Sequence, residues 1–295
     1  MLGVVNLDKP VGPTSHDMVG LLRRLTGTRR IGHAGTLDPL ASGVLPILVG
    51  QATRFSEELT GGPKRYEAVI RLGARSATDD AQGPIEPVAG PVPDEAAIRD
   101  ALAAFVGSFE QRPPAFSARK HAGRVAHRAA RGGTALDLPP RPVTVHGIEV
   151  LDIVPATGGT EVRVDIRCGP GTYIRSIARD LGDRLGCGGY LAALRRTEAA
   201  GLSIADAIGP DRLEALAAEG RLATAVLPVG ALLRLPTVTL GEPDAWRFRH
   251  GSEVTLDDAP QGRVAVFSDD ALAGVGIVAG RTLRPDKVIA DGSPA

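Results

Sequence analysis

Apolar and polar positions switch between two periods along the chain, and the switches mark out its elements. Gly3 to Leu7 reads as a short strand, Pro10-Val11-Gly12-Pro13 as a tight turn, and Ser15 as a helix N-cap. Met18, Val19, Leu22 and Leu25 share one face of that helix, and Gly27 stops it. The next segment, Ile31 to Gly43 (IGHAGTLDPLASG), is a loop by composition, followed by a buried strand at Val44 to Val49. Tyr66 to Leu72 forms another strand. Asp94 caps a helix that carries Ile98, Leu102 and Phe105 and ends at Gly107. Val162, Val164, Ile166 and Cys168 alternate with Arg163, Asp165 and Arg167, the period of a half-buried antiparallel strand. Ile174, Ile177, Ala178, Leu181 and Leu185 then line one helical face.

Strands interrupted by helices, without strict alternation, predict an α+β fold rather than a doubly wound one. After a helical region from Asp211 to Ala225, a boundary is expected near Pro228 to Pro236. Beyond it, Thr237 to Leu240, Glu253 to Leu256, Arg263 to Phe267 and Gly274 to Val278 are short strands separated by Gly, Pro and Asp. They predict a small β-rich module.

A chain of 295 residues with 43% hydrophobic content buries a sizeable core, which excludes peptide-sized and disordered classes. Lysine plus arginine and aspartate plus glutamate both total 34, so no molecule-wide field draws in polyanions and any nucleic-acid surface must be a local patch. One such patch is visible where periodicity fails: Arg112, Arg119, Lys120, Arg124, Arg128, Arg131 and Arg141 face a single acid, Asp137. Two cysteines and six scattered histidines make neither a disulfide framework nor a zinc pattern, so a reduced, metal-free cytoplasmic protein is expected. The N-terminus has no signal-peptide pattern. The longest apolar run, Val44 to Val49, is far shorter than the roughly 20 residues that span a bilayer, so no membrane segment is expected.

Asp38, in GTLDPLASG, is one carboxylate held on a shaped loop beside a buried strand. Such a group serves as a nucleophile or, more commonly before proline, as an Asx-turn or helix-cap residue. Only Lys9, Lys64, Lys120 and Lys287 are lysine, against 30 arginines, so a position that keeps lysine either needs a compact point charge or keeps it by chance. Two of three tyrosines, Tyr66 and Tyr173, lie beside Lys64-Arg65 and Arg175. That pairing suits base stacking next to phosphate, and it equally suits core packing with the hydroxyl at the rim.

Taken together, GVVNLDKPVGPTSHD, RRIGHAGTLDPLASGVLPI, KRYEAVIRLG, FSARK and GTYIRSIARDLG resemble the successive motifs of the bacterial tRNA pseudouridine-55 synthases, the TruB type, over about the first 200 residues. The resemblance implies a pseudouridine synthase fold with a mixed, largely antiparallel sheet flanked by helices over 1–232. It also implies an RNA-clamping insertion at about 112–141 and a PUA-like, β-rich accessory domain over 236–295. The implied reaction is isomerisation of uridine 55 in the tRNA T-loop, with base flipping and no cofactor or metal. The expected partner is tRNA, with no guide RNA and no obligatory protein.

By the same resemblance Asp38 is the nucleophile, attacking ribose C1′ or uracil C6, and Arg175 is the cation that keeps it ionised. Tyr66 lies against the uracil and is the candidate for removing the C5 proton. His33 fills the space that the flipped base leaves, Tyr173 lines the pocket, and Lys64, Lys120 and Leu194 join the substrate-binding set. Lys9, with Pro10, supports the catalytic loop. The family commonly has tyrosine and leucine where this chain has Phe116 and Arg119. Acidic pairs Asp257-Asp258 and Asp269-Asp270 weigh against phosphate binding on that face of the C-terminal module. A rival from another class is a tRNA-binding folding chaperone that needs no catalysis. A hydrolase built on Asp38 lacks a second carboxylate at a recognisable spacing.

Overall fold

The computed structural model describes residues 1–90, 93–116, 120–121, 124–125 and 138–290, with backbone only at 120–121 and 124–125. The first half contains β1 (Gly3–Lys9), α1 (Ser15–Thr26), β2 (Ile31–His33), β3 (Ala41–Val49), α2 (Ser56–Thr60), β4 (Lys64–Leu72), β5 (Ala74–Ser76), β6 (Ile85–Pro87), α3 (Glu95–Ala103), β7 (Gly107–Gln111), β8 (Lys120–His121) and β9 (Arg124–Val125). There follow β10 (Arg141–Ala156), β11 (Gly159–Cys168), α4 (Ile174–Arg184), β12 (Gly189–Ala199), β13 (Leu202–Ser203) and α5 (Pro210–Ala218). The C-terminal part holds β14 (Thr237–Thr239), α6 (Asp244–Arg249), β15 (Val254–Thr255), β16 (Gly262–Ser268), β17 (Ala271–Ala279) and β18 (Thr282–Val288).

The main sheet runs β1-β3-β12-β4-β11-β10-β7, with β2 added to β3 and β13 to β12. All its pairings are antiparallel except β12 with β3, where Leu194 to Arg196 run parallel to Ala41 to Gly43. The sheet is therefore mixed and largely antiparallel. Strand β11 alternates as its sequence predicts, burying Val162, Val164, Ile166 and Cys168 completely. Those side chains meet Ile177, Ala178 and Leu181 of α4 and Leu21 and Leu22 of α1 in one core. Burying so many branched side chains is the main force holding the layers together, at about 1.5–3 kcal/mol for each full side chain.

Several boundaries differ from the sequence expectation, each for a local reason. Helix α1 is capped by Thr14, not Ser15: the Thr14 hydroxyl accepts from the Asp17 N–H and Asp17 accepts from the Thr14 N–H, a reciprocal capping box. Ile31 to His33 is a strand despite its loop-like composition, because it pairs with Ile47 to Val49. Helix α3 ends at Ala103 with Ala104 as its C-cap, and Phe105 packs into the core from the following turn. Strand β12 gave no period-2 signal because bulges at Leu191/Ala193 and Arg196/Glu198 break its alternation. Strand β10 hides in the same way, with irregularities at Val145/Gly147 and Val150/Asp152.

Residues 237–288 build a five-stranded sheet, β14-β16-β17-β18-β15, around Phe248, Val264, Val266 and Leu283. Strand β18 and helix α6 add to the four strands read from the sequence. A third apolar cluster joins Val4, Val44 and Leu48 of the main sheet to Ala265 and Val275 of the module through Phe55 and Leu59.

Candidate active site

The loop from β2 to β3 is tied at several points, and Asp38 sits at its apex. The Ser15 hydroxyl, at the start of α1, donates to the Leu37 carbonyl at 2.9 Å and accepts from the Leu37 N–H at 2.8 Å. Gly12 N–H donates to the Pro39 carbonyl at 2.8 Å, and Ala41 N–H to that of Asp38 at 3.0 Å. Gly43, at φ +102°, lets β3 close on β12, since a Cβ there would stand 2.2 Å from the Arg196 carbonyl oxygen. A carboxylate on so constrained a loop is pre-positioned.

Arg175, the second residue of α4, is only 4% exposed and reaches Asp38 from the opposite wall. Its Nη2 lies 2.9 Å from Asp38 Oδ2 and also donates to the Phe116 carbonyl at 3.0 Å. Nη1 donates to the Thr78 carbonyl at 3.1 Å and lies 3.7 Å from Asp80 Oδ2. Asp80 is itself buried, accepting from the Thr78 hydroxyl at 2.6 Å and the Gln82 N–H at 3.0 Å. At the mouth of α4 the Gln111 amide grips both backbone groups of Tyr173, at 3.1 and 2.9 Å.

Two clefts meet at the Asp38–Arg175 pair. The first, about 480 Å³, is lined by Asp38, Lys64, Tyr66, Tyr173, Arg175, Leu194 and Arg196. The second, about 560 Å³, adds His16, His33, Gln82 and Phe116 on the other side. Asp38 remains 39% exposed, open to both.

Burial displaces several groups from their ordinary values. It pushes the Asp38 carboxyl up, and although the Arg175 guanidinium opposes this, the net displacement is upward, aided by Asp80. The ion pair expected from the sequence is present; desolvation outweighs it. Burial likewise raises the Tyr66 phenol, with the Arg196 guanidinium pulling the other way. Lys64 is pushed by burial down to about 8, and its ammonium is held by the Thr60 and Gly62 carbonyls at 2.6 and 2.7 Å. Burial, followed by Arg196 and His16, lowers His33.

Of the residues singled out in the sequence, Asp38, Tyr66, Arg175, Lys64, Tyr173 and Leu194 converge on the first cleft and His33 on the second. Lys9 lines neither. Fully buried behind the loop, it donates to the Pro10 and Pro13 carbonyls at 2.7 and 2.8 Å, and burial lowers it to about 8 with Asp38 opposing. Lys120 pairs through its backbone with Val125; its side chain, Arg119, and the insertion's Arg124, Arg128 and Arg131 side chains lie outside the described residues.

Sequence reasoning missed Arg196 and Asp80. Arg196 is 1% exposed, donating to the Val44 carbonyl at 2.7 Å and the Gly35 carbonyl at 2.9 Å while lying against Tyr66. One arginine among 30 carries no local signal. Among the described residues, no three His, Cys, Asp or Glu side chains cluster as a metal site, and no helix is long and apolar enough to cross a membrane. A cleft lined by two tyrosines, with three buried cations around one carboxylate, suits a planar base carried on a phosphate backbone.

Residues 23–174 match the model of the TruB family pseudouridylate synthase N-terminal domain, and 175–234 match that of the tRNA pseudouridylate synthase B C-terminal domain. The chain belongs to the TruB family. A tRNA pseudouridine synthase B of Ralstonia nicotianae is 41% identical over 97% of this chain and 94% of the relative. That of Dechloromonas aromatica is also 41% identical, over 93% and 90%. Among solved structures, a Cbf5-Nop10-Gar1 complex contains a chain similar to this TruB-family fold at TM-score 0.74 and 28% identity, covering 97% of this chain and 84% of the other. An H/ACA RNP bound to a substrate RNA containing 2′-deoxyuridine gives 0.73 and 26%, covering 99% and 87%. The expected pseudouridine synthase fold, with its β-rich C-terminal module, is the fold observed.

Proposed function

We propose that this TruB-family enzyme acts on tRNA, isomerising uridine 55 of the T-loop to pseudouridine. The observation that carries the reading is the Asp38 carboxylate, fixed by its loop and set 2.9 Å from buried Arg175 at the edge of a cleft walled by two tyrosines. A base stacked in a folded loop reaches such a cleft only by flipping out, at a cost of a few kcal/mol that stacking contacts offset. Tyr66 and Tyr173 offer those contacts, Leu194 adds apolar wall, and His33 fills the space the base leaves.

Asp38 attacks ribose C1′ or uracil C6; either route breaks the N1–C1′ bond, turns the base and forms the C5–C1′ bond. The C5 proton is lost and N1 gains one, so the reaction is redox-neutral and balances without a co-reactant. Tyr66 is the candidate acceptor of the C5 proton. Its phenol, raised by burial, is protonated at rest, so it accepts the C5 proton only after passing its own hydroxyl proton to solvent, and Arg196 is the group placed to stabilise the phenolate in between. Lys9 and Ser15 hold the loop rather than the substrate. We infer that residues 1–232 form the catalytic domain and 236–295 an accessory RNA-binding domain. In this reading the enzyme works in the cytoplasm without guide RNA or obligatory protein partner.

The test is tritium release from tRNA transcript labelled at uridine C5, with the product position mapped. Wild type is expected to release label from one T-loop uridine, and Asp38→Asn to bind tRNA equally well and release none. Normal release by Asp38→Asn removes the nucleophile assignment. Tight binding by wild type without any release supports the chaperone reading instead.

A further inference from the structure

The outer face of the main sheet carries a charge arrangement that the catalytic cleft does not use. Along one cross-strand row, Arg167 of β11 stands directly opposite Arg65 of β4, and Arg65 directly opposite Glu198 of β12. Like charges in directly opposed positions repel and weaken a sheet. Arg65 is compensated twice, by Asp165 at 2.8 Å and Glu198 at 3.4 Å. Arg167 is exposed and meets no acid among the described residues.

The surplus charge is not isolated. Arg167 lines a groove of about 380 Å³ with His146 and Arg234, and Arg234 likewise has no acidic partner among the described residues. Gly201, at φ +79°, lies on the groove floor, where a Cβ would touch the Arg234 guanidinium at 3.7 Å. Lys64, at the start of β4, lines both this groove and the first catalytic cleft, so the two adjoin at that residue. Arg65 and Glu198 also line the groove and pair with each other, which leaves two unmatched guanidiniums beside an imidazole as a local site for anions in a chain of zero net charge.

We propose that this groove is a subsite for backbone phosphates of the RNA strand leaving the catalytic cleft, with Arg167 and Arg234 as its contacts. The proposal rests on the functional reading above for the identity of the RNA. It places an electrostatic grip on the main sheet, separate from the basic insertion.

The experiment measures binding of an unmodified T-arm stem-loop RNA across a salt series, together with tritium-release kinetics. The proteins are wild type, Arg167→Gln, Arg234→Gln, the double variant, and Arg99→Gln as a control that removes one charge from α3. Each groove variant is expected to raise Kd and KM about 5-fold with kcat unchanged. The log–log salt slope is expected to flatten by about 0.7–0.9 per lost contact. Arg99→Gln should match wild type. Groove variants that bind with wild-type Kd and slope overturn the proposal, as does an equal loss in Arg99→Gln, which would reduce the effect to net charge. If wild type binds RNA but releases no tritium, the reaction assigned above falls, while weaker binding by the groove variants still supports the subsite. If wild type binds no RNA, both fall.

Discussion

At the scale of single residues, the decisive balance is between burial and one guanidinium. Asp38 is raised by desolvation and restrained by Arg175, so activity that needs its carboxylate is lost as pH falls through a value above the ordinary aspartate value of about 3.9. Arg175→Lys keeps a charge but cannot hold Asp38, the Thr78 carbonyl and the Phe116 carbonyl together. The expected outcome is a fall in kcat of about 100-fold and an acid limb of the pH–rate profile moved to higher pH, read by single-turnover assays. Asp38, Tyr66 and Arg175 were legible in the sequence because each lies inside a motif whose order along the chain matches one family. Asp80 and Arg196 were not. Both act on groups far away in sequence, Asp80 on Arg175 and Arg196 on Val44 and Tyr66, and only the fold brings those partners together.

At the scale of elements, the site depends on how the loop before β3 is anchored to α1. Ser15 makes both of its hydrogen bonds to Leu37, the residue before Asp38. Ser15→Ala leaves two buried backbone groups unpaired, at a cost of about 1–3 kcal/mol. Thermal unfolding should show that loss, and kcat should fall about 10-fold with RNA affinity unchanged. Elements with clean periodicity, such as β11 and α4, were readable from sequence because one face of each is wholly buried. Bulged β10 and β12 were not, since each extra residue moves later side chains to the other face. The short β2 owes its existence to pairing with β3, which no local propensity announces.

At the scale of the whole molecule, the C-terminal module is clamped to α2 by charge as well as by apolar contact. Lys287 reaches Glu57 at 3.1 Å and Glu58 at 2.9 Å, and Arg263 joins Glu58 at 2.6 Å. Gln51 adds reciprocal hydrogen bonds to the Ala290 backbone at 3.2 and 3.0 Å. Burial pushes the Glu58 carboxyl up, but hydrogen bonds from Lys287 and Arg263 more than reverse it, and the net displacement is downward. The folded state therefore holds this proton less tightly than the unfolded chain. The resulting stability is present above the ordinary glutamate value of about 4.3 and is lost as pH falls through the lower folded value. Glu58→Gln should lower Tm by about 2–4 °C at neutral pH and remove this part of the acid sensitivity, as calorimetry at several pH values would report.

The place of β12 in the main sheet has a consequence for biosynthesis. It lies between β3 and β4, parallel to one and antiparallel to the other, although both precede it by more than a hundred residues. During translation neither strand can complete its pairing until residues 73–199 have emerged, which at about 5–20 residues per second takes roughly 6–25 s. Until β11 is made the nascent chain carries three open strand edges, one on β3 and both on β4, and two thereafter. Its exposure to aggregation on the ribosome is thus set by the order in which the strands are made, independently of the stability of the finished enzyme.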